Sequence, residues 1–299
     1  MTVKAFRLIE NQIIPLDISA STLDGLTASL AEGFYTTFST LVAGTKVLGL
    51  EAHLQRLYDP AGEMNLKASV DEKTLREQIA KLTQENLPNE SRVRLILTKD
   101  TGDVYIGIQP FEPLPESVYQ HGVHVITSHI TRHDPRIKGT DFIVKSQEQR
   151  KLLNKDVFEI LLTKDGKIYE GMTSNFYAIQ YVVARNAVTK QPPTQKARLL
   201  RSARKDILIT AQRGILLGVT RKAILKLAKE QGMDIEYRAP SLDEKFNEAF
   251  LTSSSRGVVS IVSIDEKLVG QGKVGKWTKK LMAAYEEYVV EKSEFLLSK

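Results

Sequence analysis

The chain contains no cysteine, which removes disulfide frameworks, thiolate nucleophiles and cysteine-held metals together. Its five histidines are scattered, so a histidine-rich metal site is not expected either. No window reaches the roughly 18 uninterrupted apolar residues of a membrane span, and MTVKAFRLIENQ lacks the pattern of a signal peptide. A cytoplasmic protein with no membrane partner is the expectation.

What is present is ordinary for a globular chain: 299 residues, 42% hydrophobic and 26% charged. That length suits two domains, since single cores stop growing at about 250–300 residues. The net charge of +6 is concentrated, because Arg185, Lys190, Lys196, Arg198, Arg201, Arg204 and Lys205 stand together with no acid among them. The run contains Pro192-Pro193 and no aromatic for base stacking, so it reads as a solvated loop, and nucleic acid is not an expected partner.

Periodicity supplies the rest. Residues 3–9 and 12–14 read as paired strands, STLDGLTASLAEG as a helix or an active-site loop, and GFYTTFSTLVAGTKVLGL as two strands joined at Ala43-Gly44. EAHLQRLYDPAGEMN and VDEKTLREQIAKLTQENL are amphipathic helices, and SRVRLILTKDTGDVYIGIQPF is a hairpin. These make a small α/β domain over 1–115, with the interdomain connection at about 113–121. A larger α/β domain over 122–299 follows, with the basic run as an insertion at about 183–205. In it, Lys138 precedes a helix expected from about Phe142 to Leu153, and Glu170 ends a hairpin turning at Asp165-Gly166. Thr220 stands as N-cap to a helix bearing Ala223, Ile224, Leu227 and Ala228 on one face. A final helix turns Trp277, Leu281 and Tyr285 inward.

Lysine, helix, hairpin and glutamate in that order, with HLQRL at 53–57, Gly218-Val219-Thr220 and the serine turn TSSSR at 252–256, resemble the pyridoxal-phosphate aminotransferases of class IV. The resemblance covers roughly 33–65 and 122–295. It implies an α+β fold of two α/β domains with pyridoxal 5′-phosphate (PLP) at their interface, a homodimer, and transfer of an amino group between an amino acid and a 2-oxo acid. Branched-chain and D-amino acids are the candidate donors. By the same resemblance Lys138 is the catalytic amine, Glu170 faces the cofactor's ring nitrogen, and Arg56, Leu216, Val219, Thr220 and Ser254 hold the cofactor, with Ser253 and Ser255 beside that turn. The chemistry suits those residue types: a guanidinium forks onto a dianion, a helix N-terminus favours an anion, and a lysine among positive groups loses its proton readily.

Tyr35, Lys99 and Ser255 are the substrate-side candidates. Lys99 is the nearest cation to where D-amino acid transaminases place an arginine and histidine on the substrate carboxylate, a pair absent from LILTKDTGDVYIGI. Phe142 stands where branched-chain enzymes have a tyrosine near the cofactor's phenolic oxygen. Two other readings remain at this point: a lyase of the aminodeoxychorismate type that releases pyruvate, and a homologue that binds without turnover.

Overall fold

Alternation along GFYTTFS decides the first sheet, since successive side chains of a strand face opposite ways. In a computed structural model, which describes residues 2–10, 12–182 and 205–296, strands β1 (Lys4–Ile9), β2 (Gln12–Pro15), β3 (Gly33–Ser39), β5 (Ser91–Thr98) and β6 (Val104–Pro110) form an antiparallel sheet. Its order is β2-β1-β6-β5-β3. Phe34, Phe38, Val93, Leu95 and Leu97 pack beneath helices α2 (Leu50–Glu63) and α3 (Glu72–Gln84), whose Leu54, Leu57, Leu75 and Ile79 are fully buried. Tyr35 and Thr37 take the other face, with Ile96 and Arg94 opposite them in register. The ambiguous stretch near residue 20 is a helix, α1 (Leu23–Ala28), whose N-cap Thr22 hydroxyl accepts from the Gly25 N–H at 3.0 Å.

The turn expected at Ala43-Gly44 is present, with positive φ at Val42, Ala43 and Gly44. The strand after it is short: β4 (Lys46–Val47) pairs with β16 (Glu294–Phe295) near the C-terminus instead of running back along β3. A short helix, α4 (Glu116–His121), then leads to the second sheet.

That sheet contains β7 (Val123–Ser128), β8 (Glu159–Lys164), β9 (Lys167–Gly171), β10 (Asn175–Gln180), β11 (Ile207–Thr210), β12 (Asp234–Tyr237), β13 (Glu248–Ser253), β14 (Gly257–Ile264) and β15 (Lys267–Leu268). Among the described residues the order is β12-β11-β10-β13-β14-β7-β8-β9, and β9 also pairs with β10 through Glu170 and Asn175. That last pairing bends six strands into a closed ring. The turn Gly171–Ser174 makes it possible, and it is tight enough that a Cβ on Gly171 would lie 2.1 Å from the Ser174 hydroxyl.

The helix expected over 142–153 is broken. The Ser146 hydroxyl donates to the Phe142 carbonyl at 2.6 Å, competing with the backbone ladder, and separates α5 (Asp141–Lys145) from α6 (Gln147–Lys151). Nearly all of the basic run at 183–205 lies outside the described residues. Helices α7 (Val219–Glu230) and α8 (Lys276–Lys292) cover the second sheet through Ile224, Leu227, Leu281 and Tyr285. Trp277 is half-buried, and its indole N–H donates to Asp206 at 2.6 Å.

The α8 N-terminus is fastened by a buried acid. Glu248 accepts from the Trp277 N–H at 3.0 Å, the Thr278 N–H at 2.7 Å and the Thr278 hydroxyl at 2.7 Å. Gly275 lies so close that a Cβ there would sit 2.0 Å from Glu248 Cδ, which accounts for the second glycine of GKVG. Glu248→Ala strands those donors and is expected to cost about 3 kcal/mol. Gly275→Ala displaces the same carboxylate. Urea denaturation of both variants checks this; native midpoints would refute it.

Candidate active site

Lys138 is placed by pairing and not by its own helix. The stretch before α5 lies against β3: the Tyr35 N–H donates to the Lys138 carbonyl at 2.9 Å, the Thr140 N–H to the Gly33 carbonyl at 2.9 Å, and the Gly33 N–H to the Thr140 hydroxyl at 2.9 Å. The amine comes to 4.9 Å from the Tyr35 ring centroid. Burial, and then the charges of Arg56, Arg132 and Arg94, hold its pKa well below the ordinary lysine value, against a smaller opposing pull from Glu170. An amine so placed gives up its proton more readily than a solvated lysine does.

Glu170 is buried at the seam of the ring. Arg132 donates to one carboxylate oxygen at 2.8 Å, and the Leu216 N–H to the other at 3.0 Å. Burial pushes this carboxyl up, with Arg132 opposing. Asn175, its partner across the seam, donates to the Leu216 carbonyl at 2.7 Å and accepts from the Gly218 N–H at 3.1 Å. Side chains from the seam therefore fix the loop that leads into α7.

Arg56 rises from α2 one turn after His53, and its guanidinium donates to the Leu217 carbonyl at 2.7 Å. Burial lowers its pKa to about 10. His53 faces the core, its Nδ1 2.7 Å from the Thr36 hydroxyl, so the His-x-x-Arg spacing locks the helix with one residue and aims the other. Burial depresses the His53 pKa, which keeps the ring neutral.

Thr220 is not the N-cap. Gly218 takes that position with extended backbone and no side-chain cap, because Asn175 already holds its N–H, and a Cβ there would lie 2.3 Å from Asn175 Oδ1. Thr220 sits in the first turn, its hydroxyl 3.4 Å from that of Tyr285. The leading N–H groups of α7 thus meet the site without an internal partner.

A pocket of about 270 Å³ where the two sheets meet is lined by Lys138, Glu170, Arg56, Leu216, Val219, Thr220, Ser254, Ser255 and Tyr35. A neighbouring, more apolar pocket of about 340 Å³ shares Val219, Thr220 and residues 254–256 but contains none of Lys138, Glu170 or Arg56. The buried groups with shifted pKa values, Lys138, Glu170 and Arg56, line the first.

Lys99 is a correction, since it is absent from both linings. It pairs with Glu32 and lies 5.5 Å from the Phe34 ring centroid, because it follows β5 on the Phe34 side of the sheet. Phe142 also lies outside the pocket, packed with Ile160, Leu162 and Met172 beneath Arg132, whose guanidinium carbon is 3.9 Å from its ring centroid. The cations that do line the pocket, and that sequence reasoning missed, are Arg92, Arg94, Arg132, Arg150 and Arg256. The two-residue spacing of Arg92 and Arg94 on a strand was the available signal.

A family model described as amino-transferase class IV matches residues 33–264. The chain is 27% identical over 259 residues to the D-alanine aminotransferase of Bacillus licheniformis, covering 82% of this chain and 83% of that one. It is 26% identical over 272 residues to the branched-chain-amino-acid aminotransferase of Pseudomonas aeruginosa, covering 84% and 81%. The structure superposes on the branched-chain amino acid aminotransferase of Escherichia coli at a TM-score of 0.70, with 18% identity over 96% of this chain and 94% of that one.

The Arg132–Glu170 pair is buried on both sides, with 6% and 3% of the side chains exposed. Arg132→Met leaves a carboxylate without its cation and is expected to cost about 3–5 kcal/mol. Glu170→Gln in the same chain should restore part of that loss, since a neutral amide needs no counter-ion. Chemical denaturation of the single and double variants checks the pair; strictly additive losses would refute it.

Proposed function

This chain is a class IV aminotransferase, an enzyme that moves an amino group between an amino acid and a 2-oxo acid, and from that premise we propose that the pocket around Lys138 and Glu170 binds PLP and carries the transfer. Enzymes of this family work with that cofactor. The site fits it on its own terms. Among the described residues Arg56 and Lys138 form no ion pair, and α7 begins beside Arg56 without a side-chain cap, so a phosphate dianion supplies the charge this end of the pocket lacks. When bound, the cofactor offers an aldehyde to carry the amino group and a ring that draws electrons from the substrate α carbon.

The residues then divide the work. Arg56, the N–H groups of Val219 and Thr220 and the Ser254 hydroxyl would hold the phosphate, with Leu216 in the same lining. Glu170, oriented by Arg132 and the Leu216 N–H, holds a proton at the ring nitrogen. Lys138 would hold the cofactor's aldehyde end and, as an amine that gives up its proton readily, would move the proton at the substrate α carbon. Tyr35 and Ser255 flank the substrate. The exchange is ping-pong, with the 2-oxo acid entering after the first product has left. The lyase alternative is not needed, because the family assignment and the relatives above are transaminases.

The observation that supports this most strongly is the depressed lysine in the same pocket as the buried carboxylate. A lysine whose pKa is lowered becomes neutral as pH rises through that lowered value. Reductive trapping of PLP on the apoprotein should therefore rise with pH at a midpoint well below the usual value of about 10.4. Peptide mapping should find the label on Lys138. A midpoint near the ordinary value, or a label elsewhere, would sink the proposal. Lys138→Ala is expected to cost transamination at least about 100-fold. The homodimer implied by the family is checked by light scattering, where a monomer at working concentration would rule it out.

A further inference from the structure

Arg92 and Arg94 stand two apart on β5, so both point from one face of the strand, and both line the pocket that holds Lys138. Arg150 from α6 and Arg256 from the turn after β13 line it as well. Three of the four are compensated. Asp24 accepts from Arg94 at 2.6 Å and from Arg150 at 2.5 Å, and Arg256 donates to Glu159 at 3.0 Å.

Arg92 differs from the others. Among the described residues it forms no ion pair, and its Nε is buried with no hydrogen-bond partner. Burial, then the charges of Arg94 and Arg256, lower its pKa to about 10. Glu112 also lines the pocket, but it is exposed and forms no ion pair with Arg92 among the described residues. A desolvated donor with no acceptor is costly, and the cost is relieved when an anion arrives.

Tyr35 sets the scale. Lys138 Nζ and Arg94 Cζ each lie 4.9 Å from its ring centroid, so the reacting amine and Arg94 are within about 10 Å of one another, and Arg92 follows on the same strand face in the same lining. A short dicarboxylic amino acid spans about 5 Å from its nitrogen to its distal carboxyl carbon, and the guanidinium fork covers much of the remainder.

We propose, resting on the transaminase reading above, that Arg92 takes the distal carboxylate of the substrate and makes this enzyme selective for dicarboxylic pairs in both half-reactions. Aspartate, glutamate and their 2-oxo diacids are the fitting class. Aliphatic side chains of the branched-chain kind leave the Arg92 donor desolvated and are poor substrates. Arg94 and Arg150, held by Asp24, position the wall.

The test compares kcat/KM for glutamate, glutamine and leucine in both enantiomers, because glutamine matches glutamate in shape and lacks the charge. The wild-type enzyme should prefer glutamate over both by about 100-fold, the scale of rejection when a site's polar donor is left unmatched. Arg92→Met should remove that preference by lowering the glutamate value alone, and Arg92→Lys should restore part of it. Lys99→Ala, outside the pocket, should leave every value unchanged. Leucine or glutamine turned over as well as glutamate by the wild type would overturn the proposal, whether or not Arg92→Met folds. Equal losses for all three donors in a folded Arg92→Met would overturn it too, since Arg92 would then serve the α-carboxylate. Failure of every donor to bleach the cofactor band would instead refute the transaminase reading.

Discussion

The structure depends on one buried carboxylate. Glu170 sits where the second sheet closes on itself, and an ion there is tolerated only because Arg132 and the Leu216 N–H both reach it. That requirement propagates. Leu216 must be held in place, so Asn175 grips its carbonyl and the Gly218 N–H, and the Gly218 grip fixes where α7 begins. An acid at the seam, an amide across from it and an uncapped helix end are parts of one arrangement.

The second constraint is an excess of positive charge. Among the described residues, six arginines and Lys138 line a pocket in which Asp24, Glu112 and Glu170 are the only acids. Like charges in a partly desolvated space are relieved most cheaply at the group that can lose its proton, and guanidinium scarcely can. The relief falls on lysine, so the lowered pKa of Lys138 and a strong field for anions have the same origin. Arg56, Arg132 and Arg94 come from three separate segments, and all three depress Lys138.

Much of this is legible in the sequence. The Asp-Gly turn, the lysine ahead of a helix and the His-x-x-Arg spacing each have a local cause, and the residues of those motifs do surround one pocket. Local pattern fails where a distant partner decides. Thr220 has the composition of an N-cap, but Asn175, 45 positions away in sequence, already occupies the Gly218 N–H and starts the helix earlier. Ser146 reads as any helical serine, yet its hydroxyl takes the Phe142 carbonyl. Lys99 reads as the substrate-side cation only because it is nearest in sequence to the pattern sought. Arg92 and Arg94 escape notice because alternation with Val93 and Leu95 reads equally well as a solvated strand face.

That last ambiguity has a physical resolution in pairing and burial. A solvated strand face leaves its arginines hydrated, whereas Arg94 is 5% exposed and stacks 4.9 Å from the Tyr35 ring. What encloses it is α1, which places Asp24 and the Thr27 hydroxyl against the same guanidinium at 2.6 and 2.9 Å. The segment that sequence left open between a helix and an active-site loop is therefore both: helical by its Thr22 cap, and part of the site because its first-turn acid is the counter-ion of the arginine wall. One carboxylate between two guanidiniums leaves the wall positive, and a net positive wall favours anionic ligands over apolar ones of equal size.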